Sequence, residues 1–298
     1  MTSPTNLPEA QGAGNWHTFL GGASIEISAR DPTAPKVLAD RIERGTRVHV
    51  SFLQNADYLE TVASARALSR EGFNPVPHIA ARSLVSEAAL LDYLARLSGE
   101  ASVNHALLIG GDLDKQRGPY ADSLSVLETG ALQRSGIRSV AFAGHPEGHP
   151  AVDNAVLIDA LRRKIDTATR VDLASSIITQ VCFEAEPILS WLTQIRRLGI
   201  AAPVSIGAAS PISPATMMRF AIRCGVGPSI RALTTQRHRL GKLLTEEGPE
   251  TLIQDIAAAI NTDRDDALGA IGGMHFFVFG SVAKAADWLR NQQRGSAP

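Results

Sequence analysis

Short apolar segments recur at regular intervals along this 298-residue chain, and this recurrence limits the possible fold more than any other feature. Among the first seven segments, about 25 to 35 residues separate one from the next, which is the length of a strand–helix unit in a parallel sheet. We predict eight strands, at Ala23–Ser28, Arg47–Phe52, Pro75–Ala80, His105–Ile109, Ser139–Ala143, Ser175–Val181, Pro203–Ile206 and Met274–Phe279.

The segments between these strands have the apolar periodicity of amphipathic helices, most clearly Tyr58–Arg70, Glu87–Leu97 and Ala185–Leu198. Eight strand–helix units in one chain predict an α/β fold, a closed (β/α)8 TIM barrel in a single domain. The interval before the eighth strand is longer than the others, and we expect Ser213–Ala270 to hold two or three helices. An open doubly wound sheet is the alternative, but no GxGxxG motif follows the first strand.

Both ends of the chain differ in composition from this repeating part. Residues 1–18 are rich in Pro, Gly, Asn and Thr and lack a basic start and an apolar block, so we expect a flexible arm rather than a signal peptide. Residues 291–298 have the composition of a flexible tail, which leaves 19–290 for the barrel. Cys182 and Cys224 are too few for a disulfide framework, and we interpret Cys182 as a packing residue.

The charge and hydropathy of the chain exclude several classes of partner. The 29 basic and 30 acidic residues nearly cancel, which gives no electrostatic reason to expect nucleic acid or a membrane surface. No stretch approaches the roughly 20 apolar residues of a membrane span. We therefore expect a cytoplasmic protein that acts on a small molecule and self-associates at most into a homo-oligomer.

A carboxylate lies inside the first predicted strand. Glu26 stands between Ile25 and Ile27, so its side chain points away from its apolar neighbours. If it faces the barrel interior as an isolated group, burial will raise its pKa and make it a proton donor near neutral pH. The sequence equally allows Glu26 to face outward, towards water or a helix.

Other candidate residues follow the carboxyl ends of later strands, where the working residues of such barrels are found. His78 lies near the end of the third strand, although a lone histidine there is more often a packing residue. Gly111 and Asp112 follow the fourth strand and suit a close approach to a ligand, or equally a turn with a helix cap. Gln180 follows the sixth strand and carries an amide that could bind a heterocycle through two hydrogen bonds.

The segment after the fifth strand combines histidines with basic residues. His145 and His149 are four residues apart in AGHPEGHP, but the prolines and glycine there prevent a regular helix, so we predict a shaped loop and no metal site. Arg163 and Lys164 belong to a basic triplet on the next helix. Such a triplet usually forms a solvated face, and its alternative is a clamp for a phosphate.

Taken in order, these segments resemble the methylenetetrahydrofolate reductase family, which consists of (β/α)8 flavoproteins that reduce 5,10-methylenetetrahydrofolate to 5-methyltetrahydrofolate. The resemblance covers nearly the whole chain, and each motif is weak by itself. The segments that carry it are ASIEIS, PHIA, GGDLDKQRGPYADSL, GHPEGHP, LRRKID, ITQVCF and PVSIGAASPIS.

The resemblance implies roles for the candidate residues. Glu26 matches the proton-donating glutamate of the family, Asp112 the aspartate between flavin and folate, and Gln180 the folate-reading glutamine. The implied cofactors are NADH or NADPH as the hydride source, with FAD as the carrier. The residues that match cofactor-binding positions are His78, Gly111, His145, His149, Arg163 and Lys164.

The chain departs from the family pattern mainly where flavin would be contacted. The positions of an arginine, a threonine, an aspartate, an asparagine and a folate-stacking phenylalanine are occupied by Gly110, Leu53, Leu157, Ala160 and Ala215. Each lost polar contact costs about 1 to 3 kcal/mol, so several losses weaken flavin binding by orders of magnitude. Hydride transfer through FAD and direct transfer from NADH to folate both remain open.

The sequence therefore predicts a divergent methylenetetrahydrofolate reductase, with two alternatives. One is a non-catalytic barrel that binds folate or regulates another protein, and the other is an unrelated barrel lyase or hydrolase that uses Glu26 and Asp112.

Overall fold

The computed structural model describes residues 20–53, 56–213, 216, 219, 248–263 and 268–294, and it contains a closed parallel barrel with the strand order β1 to β8. The TIM barrel predicted from the sequence is confirmed. The strands are β1 Ser24–Ser28, β2 Arg47–Ser51, β3 Asn74–Ala80, β4 His105–Ile109, β5 Ser139–Gly144, β6 Ala174–Thr179, β7 Val204–Ala209 and β8 Ile271–Phe277.

Helices connect the strands, as the apolar periodicity predicted. The prediction of Tyr58–Arg70 is confirmed to the residue, and this helix begins where the Asp57 carboxylate accepts a hydrogen bond from the Leu59 N–H at 3.0 Å. The helices of the described residues are α1 Ala34–Ala39, α2 Tyr58–Arg70, α3 Glu87–Ala101, α4 Ser123–Leu127, α5 Ala131–Arg134, α6 Asn154–Arg170, α7 Ala185–Arg197, α8 Glu250–Thr262 and α9 Val282–Arg294.

Some segments differ from the sequence expectation. Residues 291–294 continue helix α9 instead of starting a flexible tail, since the Gln293 amide donates to the Leu20 carbonyl at 2.9 Å and ties the last turn to the barrel. Helix α8 confirms part of the helical segment expected before the eighth strand, and the rest of that segment lies outside the described residues, as do 1–18 and 295–298. Within the described residues, no helix is long and apolar enough to cross a membrane.

Three strands differ from the prediction by two or more residues at one or both ends. Strand β6 stops at Thr179 rather than Val181, because the Thr179 hydroxyl accepts the Gly207 N–H at 2.8 Å in place of a backbone carbonyl. Strand β7 continues to Ala209 rather than stopping at Ile206, and β8 runs from Ile271 to Phe277 instead of Met274 to Phe279. The predicted strands stop short of Gly207 in β7 and of Gly272 and Gly273 in β8. In the barrel, the absence of a Cβ at Gly207 lets β7 lie close to the carbonyl groups of Thr179 and Gln180.

The two faces of the strands have different surroundings. Outward-facing residues such as Ile25 and Val48 are fully buried under the helices. The inward face has a small apolar layer of its own, in which Val76, Leu107, Ala141 and Ile178 pack together. Inward positions of β1, β2, β3, β4 and β8 also carry the ionisable side chains Glu26, His49, His78, His105 and His275, which form the site described below.

Replacing Gly207 by alanine tests whether close packing of β6 against β7 requires glycine. A Cβ at this position would lie 2.5 Å from the Thr179 carbonyl oxygen and 2.6 Å from that of Gln180, and backbone atoms cannot rotate away. We expect Gly207→Ala to lower the free energy of unfolding by about 1 to 3 kcal/mol, measured by urea denaturation.

Gly99 provides the matched control, because it lies in helix α3 and a Cβ there meets nothing within 4 Å. Gly99→Ala should leave stability unchanged or raise it by up to about 1 kcal/mol. Equal effects of the two substitutions would contradict the proposed packing constraint.

Candidate active site in the barrel interior

Glu26 faces the interior of the barrel from the middle of β1. Its neighbours Ile25 and Ile27 are buried on the outer face, and its register partners are His49 on β2 and Phe277 on β8. The Glu26 side chain is 16% exposed, so the carboxylate is largely enclosed but accessible from the barrel mouth. The alternative in which Glu26 points outward to water or a helix is therefore wrong.

Two imidazoles contact the carboxylate. His275 Nε2 on β8 is 3.4 Å from Glu26 Oε2 in hydrogen-bond geometry, and His78 Nε2 on β3 is 3.4 Å from the same oxygen without such geometry. The other ring nitrogen of His275, Nδ1, is 2.9 Å from the hydroxyl oxygen of Ser24. Ser24, His275 and Glu26 therefore form a hydrogen-bonded chain across the β1–β8 junction.

This arrangement corrects the expected titration of Glu26. Burial is the largest influence and raises the pKa of the carboxyl group, as expected. The charge of His78, followed by the hydrogen bond and the charge of His275, outweighs burial, so the pKa lies below its ordinary value rather than above it. The sequence expectation was wrong because Glu26 is not isolated.

Within the described residues, four histidines point into the barrel. The ring of His49 lies 4.5 Å from that of His275, 5.8 Å from His78 and 6.5 Å from His105, centroid to centroid. Burial, followed by the neighbouring imidazoles and Arg47, holds the pKa of His49 well below its ordinary value. Burial, with the charge of Arg47, lowers the pKa of His105 to about 4, so both side chains are neutral at physiological pH.

The sequence analysis singled out His78 but not His49, His105 or His275. The signal was present, since His49 in RVHVS and His275 in MHFF alternate with apolar residues in the same way as Glu26 in SIEIS. His105 begins HALLI at the matching phase of β4. Applying the same inward and outward alternation to every strand would have placed these side chains together in the barrel interior.

An apolar shelf adjoins this polar interior at the carboxyl ends of β6, β7 and β8. The rings of Phe277 and Phe279 stack with a centroid distance of 5.9 Å and an interplanar angle of 5°. Val181, Ala209 and Ile212 complete the cluster and are buried. Phe277 also meets the His275 ring edge-on at 4.7 Å, so the shelf reaches the residues around the carboxylate.

Gln180 lies at the same end of the barrel, directly after β6. In the amide orientation that satisfies both partners, its nitrogen donates to the Gly148 carbonyl at 3.1 Å and its oxygen accepts from the Glu147 N–H at 3.3 Å. The side chain therefore fastens the loop after β5 to the mouth. A ligand that uses this amide has to share it with the loop or displace it.

Asp112 is exposed in the loop after β4. Gly111 before it has φ +90°, a conformation that favours glycine. Arg82, which sequence reasoning missed, holds this loop, because its backbone N–H donates to the Gly110 carbonyl at 2.9 Å and its guanidinium to the Leu113 carbonyl at 3.1 Å. Asp112 is thus carried by an anchored loop.

The remaining predicted residues lie around β5 and α6. His145 and His149 are in contact in an irregular loop, with ring centroids 5.9 Å apart, and His149 is exposed. The ammonium of Lys164 lies over the Phe142 ring, 5.5 Å from its centroid, and Arg163 is exposed. These residues do not contact the Glu26 group in the interior.

Two further expectations concern cysteine and metal. Cys182 is buried, as its interpretation as a packing residue required, and burial raises the pKa of its thiol. Within the part of the chain that the structure describes, no group of three or more His, Cys, Asp and Glu side chains is arranged to hold a metal ion.

No protein-family model matches the sequence. Among solved structures, the chain is similar to 3-dehydroquinate dehydratase from Geobacillus kaustophilus HTA426, with a TM-score of 0.39 and 12% identity over 66% of this chain and 76% of that one. The 3-dehydroquinate dehydratase from Aquifex aeolicus VF5 gives a TM-score of 0.39 and 10% identity over 68% and 86% of the two chains. At this level of similarity, neither protein bears on the activity of this one.

The buried imidazoles predict that stability falls with acidification. The folded barrel holds the His105 pKa at about 4, against 6.5 ordinarily, so between these values the unfolded chain takes up a proton that the folded chain does not. The free energy of unfolding therefore falls as the pH drops from 6.5 to about 4, by roughly 3 kcal/mol for this residue. His105→Leu should flatten this part of the profile, measured by urea denaturation across the range.

The exposed His149 offers a matched control. His149→Asn should leave in place the fall in stability that His105 causes. A His105→Leu protein whose stability still falls as steeply as that of the parent would show that His105 does not remain neutral in the barrel.

Proposed function

We propose that this protein reduces 5,10-methylenetetrahydrofolate to 5-methyltetrahydrofolate with hydride from NADH or NADPH. The observation that carries the proposal is the Glu26 carboxylate, which two imidazoles hold at 3.4 Å in the barrel interior. The aromatic shelf of Phe277 and Phe279 adjoins it. An acid beside an apolar aromatic surface suits a flat heterocycle that must be protonated at nitrogen.

Glu26 is the member of its group that can reach a ligand. Its side chain is 16% exposed, compared with 8% for His78 and 0% for His275. The histidines therefore act on the carboxylate rather than on a ligand. This supports the role that the family resemblance implies for Glu26, donation of a proton to folate.

In the proposed reaction, Glu26 reacts from its minor protonated form, because its imidazole neighbours lower its pKa. This form donates its proton to N10 of the folate, and the bond between N10 and the methylene carbon breaks. The electron pair of that bond stays on N10, which leaves a 5-iminium cation. Hydride from the nicotinamide then adds to the methylene carbon, giving 5-methyltetrahydrofolate and the oxidised nicotinamide. Glu26 ends as a carboxylate and regains a proton from solvent before the next turnover.

Two other residues suit the substrate in this proposal. Asp112 would stabilise the iminium cation electrostatically from its anchored loop. Gln180 would bind the pterin through its amide, exchanging its contacts with Glu147 and Gly148 for contacts with the ligand. Self-association and a cytoplasmic location stay predictions of the sequence.

The residues that match flavin-binding positions fit a flavin poorly. The ammonium of Lys164 lies against the Phe142 ring, which leaves Arg163 as the exposed cation of the pair. Leu157 and Ala160 offer no side-chain hydrogen bond where the family has polar residues. We therefore propose direct hydride transfer from the nicotinamide and route no step through FAD.

Replacing Glu26 by glutamine tests the acid. Glutamine keeps the size of the side chain and an oxygen acceptor for His275 but cannot donate an acidic proton, so we expect NADH oxidation with methylenetetrahydrofolate to fall at least about 100-fold. The dissociation constant for folate should stay within about threefold. Glu128→Gln, on the exposed end of α4, is the charge-matched control and should retain full activity.

The absorbance spectrum of the purified wild-type protein, followed by turnover with and without added FAD, tests the remaining steps. We expect a colourless protein that oxidises NADH when methylenetetrahydrofolate is present. A yellow protein with FAD-dependent turnover would overturn direct transfer. A protein that binds folate without oxidising NADH would favour the binding-only alternative, and one without folate affinity would favour an unrelated barrel enzyme.

A further inference from the structure

The contacts of Glu26 distinguish its two carboxyl oxygens. Both imidazoles lie 3.4 Å from Oε2, and Oε1 takes part in neither contact. A carboxylic acid carries its proton on one oxygen, and the other oxygen is then an acceptor. Whichever oxygen accepts from His275 is therefore the one that does not carry the proton.

The tautomer of His275 decides this assignment. If its proton is on Nε2, His275 donates to Glu26 Oε2, and the acidic proton of Glu26 sits on Oε1. If its proton is on Nδ1, the bare Nε2 accepts from Oε2, and the acidic proton is held on the oxygen enclosed by the imidazoles. Only the first tautomer leaves the proton free for a ligand.

The Ser24 hydroxyl occupies the Nδ1 side of His275, at 2.9 Å. The ionised Glu26 carboxylate is only an acceptor, so its hydrogen bond with Nε2 requires the His275 proton to be on Nε2, and the Ser24 hydroxyl then favours the same tautomer by donating to the bare Nδ1. Ser24 and His275 are almost completely buried, 2% and 0% exposed, so water does not compete for these positions. The 3.4 Å distance from Nε2 to Glu26 is long for a hydrogen bond, but catalytic hydrogen bonds commonly tighten when substrate binds.

We infer that His275, held in its Nε2–H tautomer between the Glu26 carboxylate and the Ser24 hydroxyl, is a positioning residue that places the acidic proton of Glu26 on Oε1, the oxygen that contacts neither imidazole. The inference rests on the proposed role of Glu26 as an acid. It adds two residues that sequence reasoning did not select. His275 acts through Glu26 and does not itself contact the substrate.

Every element packed against Glu26 contributes to its electrostatic surroundings. His275 faces it from β8, His78 from β3 and His49 from β2, with Arg47 one inward position below His49 on the same strand. The low pKa of His49 keeps that ring neutral. His275 also lowers the pKa values of His49 and His78, so its removal acts on Glu26 through these rings as well as through the lost contact.

Two substitutions of His275 separate positioning from packing. The amide nitrogen of glutamine can reach the place of Nε2, whereas that of asparagine reaches only the place of Nδ1. We expect His275→Asn to lower kcat about 10- to 100-fold with the KM for folate within about twofold, and His275→Gln to retain activity within about fivefold of the parent. Ser24→Ala should lower kcat about 3- to 10-fold.

The pH profile gives a readout that loss of packing would not produce. Removing the Nε2 donor raises the pKa of Glu26, because the hydrogen bond and charge of His275 lower it in the parent. The alkaline limb of the kcat profile, where the acid loses its proton, should therefore move to higher pH in His275→Asn and stay near the parent position in His275→Gln. Gly99→Ala, in helix α3, changes no contact of the site and should keep kcat within about twofold.

A tautomer measurement tests the inference without any turnover. Long-range proton–nitrogen NMR spectra of the histidine-labelled protein, with His275 assigned through His275→Gln, should show the Nε2–H form in the parent and a mixture in Ser24→Ala. An Nδ1–H form in the parent, or equal loss of kcat in His275→Asn and His275→Gln, would overturn the inference. A parent protein with the Nε2–H form but no folate turnover would contradict the proposed function and leave the Ser24–His275–Glu26 chain established.

Discussion

The barrel interior depends on one electrostatic constraint, which is that a carboxylate and four imidazoles have to be kept largely out of water. A buried charge is costly unless it is paired and hydrogen-bonded. Glu26 meets this condition through His78 and His275, which offset the burial that would otherwise keep it protonated. His49 and His105 meet it differently, because burial lowers their pKa values and they remain uncharged.

The fold could be predicted from the sequence because each strand needs a buried outer face and each helix a buried stripe, and both produce periodic apolar residues. The predicted bounds of β7 and β8 were too short where glycines lie inside the strands. Gly207 and Gly273 lie inside strands, where a side chain would collide or the backbone needs positive φ, and a rule that treats glycine as a strand breaker fails at such positions. The end of β6 was missed for a related reason, since a single hydroxyl, that of Thr179, replaces a backbone acceptor.

The site could be predicted only in part. The sequence showed that Glu26 lies on the opposite face of its strand from Ile25 and Ile27. That this face is the inward one follows once the barrel is known. Its pKa was not readable, because it is set by His78 and His275, which come from strands far apart in the sequence. Register and closure bring β1, β3 and β8 together, and a local pattern in one strand carries no information about that.

His49 and His105 matter to the acid because they are uncharged. If His49 were protonated, its ring, 4.5 Å from that of His275, would add a positive charge to the group around Glu26 and favour the carboxylate further. Because His49 remains neutral, His78 and His275 are the neighbours that oppose burial in setting the pKa of Glu26. His49 and His105 thus add no charge near the acid, and the side chains that shift its pKa are those that touch the carboxylate. An acid arranged in this way can be tuned by single substitutions at β3 or β8 without rebuilding the barrel around it.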